Sequence, residues 1–199
     1  AKEILSMSKH GWTVQETTCC PGGGEWPFVA ADGDGSRPIW KASGFLEEVL
    51  AMDVITEWLS NKSGGVAIDV GCGAGRDAAF MSRVLGDKWR IIGLDNDIGA
   101  LKRTKALARL EDVAVEAQET NLRKDGMGGR EADLVHGCRY LDRPLLAEIR
   151  EKSLRAGGLF IWSTFLQGSD KVRPGRSLEQ GELRTLFGED SFDIVVDRE

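Results

Sequence analysis

The chain has 199 residues, of which 41% are hydrophobic and 29% charged, and its formal net charge is −6 at pH 7. This length suits one domain with a full hydrophobic core, and the acidic balance argues against indiscriminate nucleic-acid binding. No apolar run approaches the roughly 20 residues of a membrane span, and the four cysteines match neither a disulfide framework nor a zinc spacing. We therefore expect a cytoplasmic protein without a metal site and without nucleic-acid or membrane partners.

Residues 1–42 have the composition of turns and loops. They include Cys-Cys-Pro-Gly-Gly-Gly at 19–24 and Asp-Gly-Asp-Gly-Ser at 32–36. The second stretch begins like a calcium loop, but Arg37 stands where that loop needs glycine and Ser43 where it needs glutamate. We predict a loop-rich N-terminal arm over 1–42 that lies on the main domain and is anchored by its aromatic side chains.

From residue 43 to residue 199 the pattern becomes regular. Apolar periodicity predicts a helix from Ser43 to about Leu59, and Asp97 and Asp142 are placed to cap two later helices. The predicted strands are 66–70, 90–94, 113–117, 132–138, 159–165 and 192–196. Strands alternating with helices predict an α/β fold, a Rossmann-like three-layer sandwich with a mostly parallel sheet and helices on both faces.

A glycine-rich turn joins the first of these strands to its helix. It reads Asp69-Val-Gly71-Cys-Gly73-Ala-Gly75-Arg76, and its glycines allow a sharp turn and close approach of a ligand to the backbone. A dinucleotide fingerprint would need a glycine where Arg76 stands. Asp69 would repel a pyrophosphate but suits a ligand that carries an ammonium group. The turn therefore disfavours NAD, and an NAD-dependent oxidoreductase remains the weaker alternative.

Asp95 ends the second predicted strand, 24 residues after Gly71. A carboxylate at that point can accept hydrogen bonds from both hydroxyl groups of a ribose. Taken alone, Asp95 would more often be a helix cap or a solvated loop residue. Because it belongs to the same β-α-β unit as the glycine turn, we favour ribose binding.

Together these features resemble the class I S-adenosylmethionine (SAM)-dependent methyltransferases. The first motif reads Val66-Ala-Ile-Asp-Val-Gly-Cys-Gly-Ala-Gly-Arg-Asp77, and the resemblance runs from about residue 43 to residue 199. Gly-Arg-Asp at 75–77, Arg-Tyr-Leu-Asp-Arg-Pro at 139–144 and the run 157–165 look closest to the tellurite-resistance-like branch of small-molecule methyltransferases. The resemblance implies SAM as the cofactor and S-adenosylhomocysteine as its product.

The resemblance also implies a role for each matching position near the turn. Gly71, Cys72 and Gly73 would line the methionine portion of SAM, while Asp69 would hold its amino group directly or through water. Asp95 would bind the ribose. Asn96, the next residue, would lie beside the adenine.

Further positions match the family's later motifs. Relatives often place an aspartate against the adenine amino group, and Asn121 stands there in this chain, with an amide oxygen that can make the same contact. Leu122 would supply a backbone contact and an apolar wall, and Cys138 a backbone contact near the reactive sulfonium. Arg76 would reach the SAM carboxylate or an anionic acceptor, although a solvated arginine in the first helical turn explains it equally well.

Trp40, Arg139, Tyr140 and Arg173 are the candidates for the acceptor side. His136 is favoured as a packed strand residue over a general base, so no catalytic residue is assigned. The lack of an evident acid–base pair fits a soft acceptor such as a thiol, a selenol or a reduced metalloid. We predict methyl transfer to a small acceptor; a non-catalytic SAM-binding module or partner subunit and a protein methyltransferase remain alternatives.

The last predicted strand bears on the edge of the sheet. The family sheet usually closes with an antiparallel hairpin, whereas this chain ends at Glu199 after what looks like the first strand of that hairpin. We therefore expect a shortened antiparallel edge, or a truncated chain. The residues expected to bind SAM lie elsewhere in the sequence.

Overall fold

The computed structural model describes residues 2–8, 11–17, 40–169, 177–188 and 191–198, with side chains from residue 40 onward. The strands are β1 (Lys2–Ser8), β2 (Gly11–Thr17), β3 (Gly65–Val70), β4 (Trp89–Asp95), β5 (Glu116–Glu119), β6 (Ala132–Cys138), β7 (Leu154–Thr164), β8 (Phe192–Ile194) and β9 (Asp197–Arg198). The helices are α1 (Gly44–Leu50), α2 (Asp53–Ser60), α3 (Arg76–Leu85), α4 (Ile98–Leu110), α5 (Leu122–Asp125), α6 (Arg143–Glu148) and α7 (Glu182–Leu186). A π-helical turn, Ile149–Ser153, continues α6.

One sheet contains all of these strands, in the order β5-β4-β3-β6-β7-β2-β8-β1-β9. The first five are parallel to one another, with β3 between β4 and β6. Helices connect them, so the predicted Rossmann-like α/β fold is confirmed. At the far edge β8 has three residues and β9 two, and both pair antiparallel with β1.

Within the described chain, no helix has the length and apolar character to span a membrane.

Strand alternation divides the buried side chains between the two faces of the sheet. On one face α1, α2 and α3 cover a core that includes Ala67, Ile91 and Ile161. On the other face α5, α6 and α7 cover a core that includes Ile68 and Trp162. Asp69 follows Ala67 by two residues, so it belongs to the face covered by α1 and α3.

Several predicted elements differ from those observed: β7 begins at Leu154 rather than at residue 159, and β8 ends at Ile194 rather than at residue 196. The single helix expected from Ser43 to Leu59 is two helices, because Met52 adopts an extended conformation with ψ of 139°. Both helices bury apolar side chains in the same core, which is why the periodicity did not reveal the break. The third strand, expected at 113–117, runs from 116 to 119, because the Val113 N–H still donates to the Ala108 carbonyl at the end of α4.

Residues 2–8 and 11–17 also differ from expectation. The sequence predicted loops there, whereas the structure has two antiparallel strands, β1 and β2, and β2 runs parallel to β7. The rest of the predicted arm up to residue 39, including the cysteine pair and the aspartate-glycine stretch, lies outside the described residues. The domain division at residue 42 stays a prediction.

Candidate functional site

The glycine turn between β3 and α3 contains two tightly packed glycines and one open glycine between them. Gly71, Gly73 and Gly75 all have positive φ, at 69°, 54° and 77°, where glycine is strongly preferred. A Cβ on Gly71 would lie 2.8 Å from the Tyr140 ring, and one on Gly75 would overlap the Thr104 side chain. A Cβ on Gly73 would meet no atom of the described residues within 4 Å. The turn is therefore packed at both ends and accessible at Gly73.

Hydrogen bonds fix the position of this accessible residue. The Gly73 N–H donates to Asp95 Oδ2 at 2.8 Å, and the Thr104 hydroxyl donates to the Gly73 carbonyl at 2.9 Å. The Cys72 N–H donates to the Leu94 carbonyl at 3.0 Å. The backbone of the turn is thus held by β4 and by α4 before any ligand arrives.

Asp95 lies half-buried at the carboxyl end of β4 and joins two segments. Its Oδ1 accepts the Asp97 N–H at 2.9 Å, in addition to the Gly73 bond to Oδ2. A carboxylate offers about four acceptor positions, so Asp95 retains capacity for further donors such as ribose hydroxyls. Asn96 is exposed beside it. Asp97 caps α4 by accepting the Gly99 N–H at 2.7 Å, as the sequence predicted.

The end of β5 lies next to Asp95, since the Thr120 N–H donates to the Asp95 carbonyl at 2.9 Å. Asn121 follows; it is exposed, and its side chain does not cap α5. Leu122 is 5% exposed and packs in the core of the α5–α7 face. The structure thus brings Asn121 to the same edge as Asp95, whereas the Leu122 side chain is part of the core.

Under the turn lies a buried cluster of Asp69, His136 and Asp77. Asp69 and His136 are register partners on β3 and β6, with 3.0 Å between Asp69 Oδ1 and His136 Nδ1. The other ring nitrogen, Nε2, is 3.9 Å from Asp77 Oδ2 in the first turn of α3. Asp77 Oδ1 in turn accepts the Ser43 N–H at 2.6 Å. The cluster therefore connects β3, β6, α3 and the start of α1.

Burial dominates the acid–base behaviour of this cluster. Asp69 is 2% exposed and His136 is 0% exposed. Burial raises the pKa of Asp69, although the hydrogen bond and the charge of His136 act in the opposite direction. For His136, burial opposes protonation, but the bond to Asp69 and the charges of Asp77 and Asp69 outweigh it and raise its pKa. Asp69 Oδ2 and His136 Nε2 have no hydrogen-bond partner among the described residues.

Two cysteines flank the turn. Burial raises the pKa of the Cys72 thiol, and the Asp69 carboxylate raises it further. Burial likewise raises the pKa of Cys138, at the end of β6, with the charge of Asp77 adding to it. A thiol with a raised pKa is a poor nucleophile, because the thiolate is the reactive form. Neither cysteine is therefore placed as a nucleophile.

Arg139 and Tyr140 lie beside the turn, at the end of β6. Arg139 is exposed with φ of 57°, and its N–H donates to the Ser163 carbonyl at 2.7 Å. The half-buried Tyr140 ring packs on Gly71, while its carbonyl accepts the Trp162 indole N–H at 3.1 Å. These two predicted acceptor-side residues are thus next to the accessible edge of the turn.

The other acceptor-side candidates are placed differently. The Trp40 indole N–H donates to Glu111 at 2.6 Å, and the Arg83 guanidinium lies 5.4 Å from the indole ring centroid. These partners stand near the ends of α4 and α3, so the structure does not bring Trp40 to the glycine turn. Arg173 lies outside the described residues. Arg76, the first residue of α3, is exposed.

Sequence reasoning overlooked the supporting residues Thr104 and Asp77. Thr104 is 1% exposed on α4, between the buried Leu101 and Ala108, and a polar residue on an apolar helix face was the available signal. Asp77 was within the first motif, but its link to His136 required the strand register.

A surface groove of about 520 Å³ lies elsewhere, between α4 and β5. Its lining includes Lys105, Arg109 and the ion pair of Arg90 with Glu116, whose two hydrogen bonds are both 2.7 Å. These residues stand near the amino end of β4 and the carboxyl end of α4. The groove is therefore distant from the glycine turn, and we place the candidate site at the turn.

Two sequence comparisons identify related proteins. A family model described as a methyltransferase domain matches residues 67–158. Carboxy-S-adenosyl-L-methionine synthase of Sulfurimonas denitrificans is 31% identical over 134 residues, which are 64% of this chain and 54% of that protein. The chain thus spans about half the length of this curated relative.

Solved structures show the same fold. TehB from Haemophilus influenzae superposes with a TM-score of 0.55 at 12% identity, over 74% of this chain and 62% of that chain. A SAM-dependent methyltransferase from Aquifex aeolicus gives a TM-score of 0.55 at 18% identity, over 76% and 89%. At these identities the likeness concerns the fold alone.

Proposed function

We propose that this chain is a class I SAM-dependent methyltransferase, which binds SAM at the glycine turn and transfers its methyl group to a small acceptor. The observation that carries the proposal is the turn itself, open at Gly73 and tied to Asp95 inside the matched methyltransferase domain. SAM supplies a methyl group already activated by a positively charged sulfur. The protein has to hold the cofactor, align the acceptor and exclude water.

The residues at the turn suit the chemical groups of SAM. The open face at Gly73 leaves room for a ligand against the backbone. Asp95 has acceptor capacity left for two ribose hydroxyls. Asp69 Oδ2, which has no hydrogen-bond partner among the described residues, offers negative charge to the ammonium group of the methionine portion. Asn121 stands near Asp95 as a candidate partner for the adenine.

The acceptor that we propose is a small, soft nucleophile, such as a thiol, a selenol or a reduced metalloid. Such an acceptor needs little help from a general base. The polar groups near the end of β6 fit this requirement, because His136 is engaged with Asp69 and the Cys138 thiol holds its proton. Arg139 and Tyr140 are next to the turn, and we propose that they contact the acceptor.

Calorimetric titration with SAM, S-adenosylhomocysteine and NADH tests the cofactor. We expect both adenosyl ligands to bind and NADH not to bind. Asp95→Asn should weaken SAM binding at least tenfold, or about 1.4 kcal/mol, through loss of the ribose contact. Asp97→Asn is the matched control, since it removes a charge two residues away while asparagine still caps α4. Failure of both adenosyl ligands to bind would refute the proposal.

Product analysis tests the acceptor. The protein would be incubated with SAM and a panel of thiols and metalloid oxyanions with a reductant, and S-adenosylhomocysteine would be quantified by mass spectrometry. Formation of that product with one class of acceptor identifies the substrate class. In a parallel incubation that also supplies a carboxylic acid as carboxyl donor, accumulation of a carboxylated SAM instead would assign the chain the reaction in the name of its curated relative and overturn methyl transfer.

A further inference from the structure

Asp69 occupies an unusual position for a carboxylate. It lies two residues before Gly71, is 2% exposed, and has one oxygen bonded to His136 and one without a partner among the described residues. An isolated carboxylate in such a place takes up a proton, because burial penalises its charged form. If Asp69 is to attract a ligand's ammonium group, another residue must keep it ionised.

His136 has the geometry to do this. The charged groups of the described chain that face it are Asp69 from β3 at 3.0 Å and Asp77 from α3 at 3.9 Å. The neighbouring thiols, Cys72 and Cys138, are uncharged because their pKa values are raised. An imidazolium between two carboxylates is favourable even when buried, and it leaves the cluster with one net negative charge.

Asp77 is itself held in place. Its Oδ1 accepts the backbone N–H of Ser43, the residue that precedes α1. Its Oδ2 is therefore directed at His136 without relying on solvent. The described chain has no group of three or more His, Cys, Asp or Glu arranged to hold a metal ion.

We propose that His136 is a positioning residue, which keeps Asp69 ionised and oriented so that Asp69 Oδ2 attracts the ammonium group of SAM. The inference rests on the proposed function and deepens it. Because Asp69 is almost fully buried, it acts through its charge and through water bridged to the ligand. His136 itself does not touch the ligand.

The consequence is a specific pH dependence. The hydrogen bond and the charge of His136 both lower the pKa of Asp69. Without His136, Asp69 takes up a proton at higher pH than in the wild type, and the attraction for the ammonium group is lost there. The factor by which the variant binds SAM more weakly than the wild type should then shrink as the pH rises, whereas general damage to the site would weaken binding by the same factor at every pH.

The test compares the wild type with His136→Leu and His136→Asn by calorimetry from about pH 5.5 to about pH 9. Asparagine places an N–H near the position of Nδ1 but carries no charge. 5′-Methylthioadenosine is the control ligand, because it shares the adenosine and the sulfur of SAM and lacks the amino acid. We expect His136→Leu to bind SAM about tenfold more weakly than the wild type near neutral pH, the equivalent of about one pKa unit, and we expect this factor to shrink at higher pH. His136→Asn should be intermediate, and 5′-methylthioadenosine should bind all three proteins alike.

Two results would overturn the inference while leaving the proposed function intact. One is an unchanged SAM pH profile in His136→Leu; the other is equal loss of SAM and 5′-methylthioadenosine at every pH. If the wild type binds neither ligand, the proposed function fails as well.

A measurement on the wild type covers the case in which the variants do not fold. The sequence has two histidines, so the ring signals of His136 in an NMR spectrum can be assigned with His10→Gln. We expect His136 to remain an imidazolium above pH 6.5 and its signals to shift with SAM but not with 5′-methylthioadenosine. A neutral ring that does not respond to SAM would contradict the inference.

Discussion

Gly73→Ala isolates ligand binding from folding at the turn. The backbone of Gly73 has φ of 54°, so alanine there costs about 1–2 kcal/mol of folding free energy, yet its methyl group would meet no atom within 4 Å in the part of the chain that the structure describes. The methyl group projects instead into the space that we assign to SAM. We expect a modest loss of stability together with at least a tenfold loss of SAM affinity, or about 1.4 kcal/mol.

Gly129→Ala is the matched control. Gly129 has φ of 72°, and a methyl group there would also meet no described atom within 4 Å. The residue lies just before β6, at the end of the sheet opposite the turn. Both variants should lower the melting temperature by about 2–8 °C, given about 2–4 °C per kcal/mol for a chain of this size. Calorimetry should then show weakened SAM binding in Gly73→Ala alone. Equal SAM affinity in the two variants would refute the assignment of the open face to the ligand.

Three further predictions concern the interior. Gly137→Ala would drive a methyl group into the buried Trp162 ring, so we expect the unfolding free energy measured in urea to fall by about 1–3 kcal/mol. An unchanged unfolding free energy would contradict the close packing of Gly137 against Trp162. The pKa of His136 is higher in the folded protein than the unfolded value of 6.5, so the folded state holds an extra proton above that pH. The unfolding free energy should therefore fall as the pH rises from 6.5 through the folded pKa, and His136→Asn should remove that part of the slope in urea titrations. Because the pKa values of Cys72 and Cys138 are raised, both thiols should resist iodoacetamide in the native protein at about pH 7 and react after denaturation. Peptide mass mapping would locate the label, and rapid labelling of the native protein would contradict the raised pKa values.

Local sequence signals predicted the parallel part of the fold well. The strand assignments near 66–70, 90–94 and 132–138 match β3, β4 and β6, and the caps at Asp97 and Asp142 are present. These segments combine a clear hydrophobic period with capping residues, so local preference and tertiary packing agree.

The remaining differences arise where the pattern has no local marker. The break between α1 and α2 occurs at Met52, which carries neither a proline nor a glycine signal. The strands β1 and β2 were hidden by the loop composition further along the arm, although Trp12 and Val14 alternate as strand residues do.

The candidate site likewise contains contacts that the sequence predicted and contacts that it did not. Asp69, the glycines and Asp95 belong to one β-α-β unit of the sequence, so their proximity was predictable. The pairing of His136 with Asp69 depends on strand register across 67 residues, and the Thr104 bond to Gly73 depends on how α4 packs. Long-range register of this kind cannot be inferred from a short motif. The individual binding roles of the site residues stay predictions.

The two backbone bonds to Asp95 have a consequence for how the site opens. Because the amide protons of Gly73 and Asp97 are both bonded to one side chain, a rotation of that side chain exposes both to solvent at once. Their hydrogen exchange should therefore be correlated and faster than that of the strand amides in β3 and β4, as for a local opening below the global unfolding free energy. A ligand that engages Asp95 would slow both amides in proportion to its occupancy. Two backbone protons would then report on a single carboxylate.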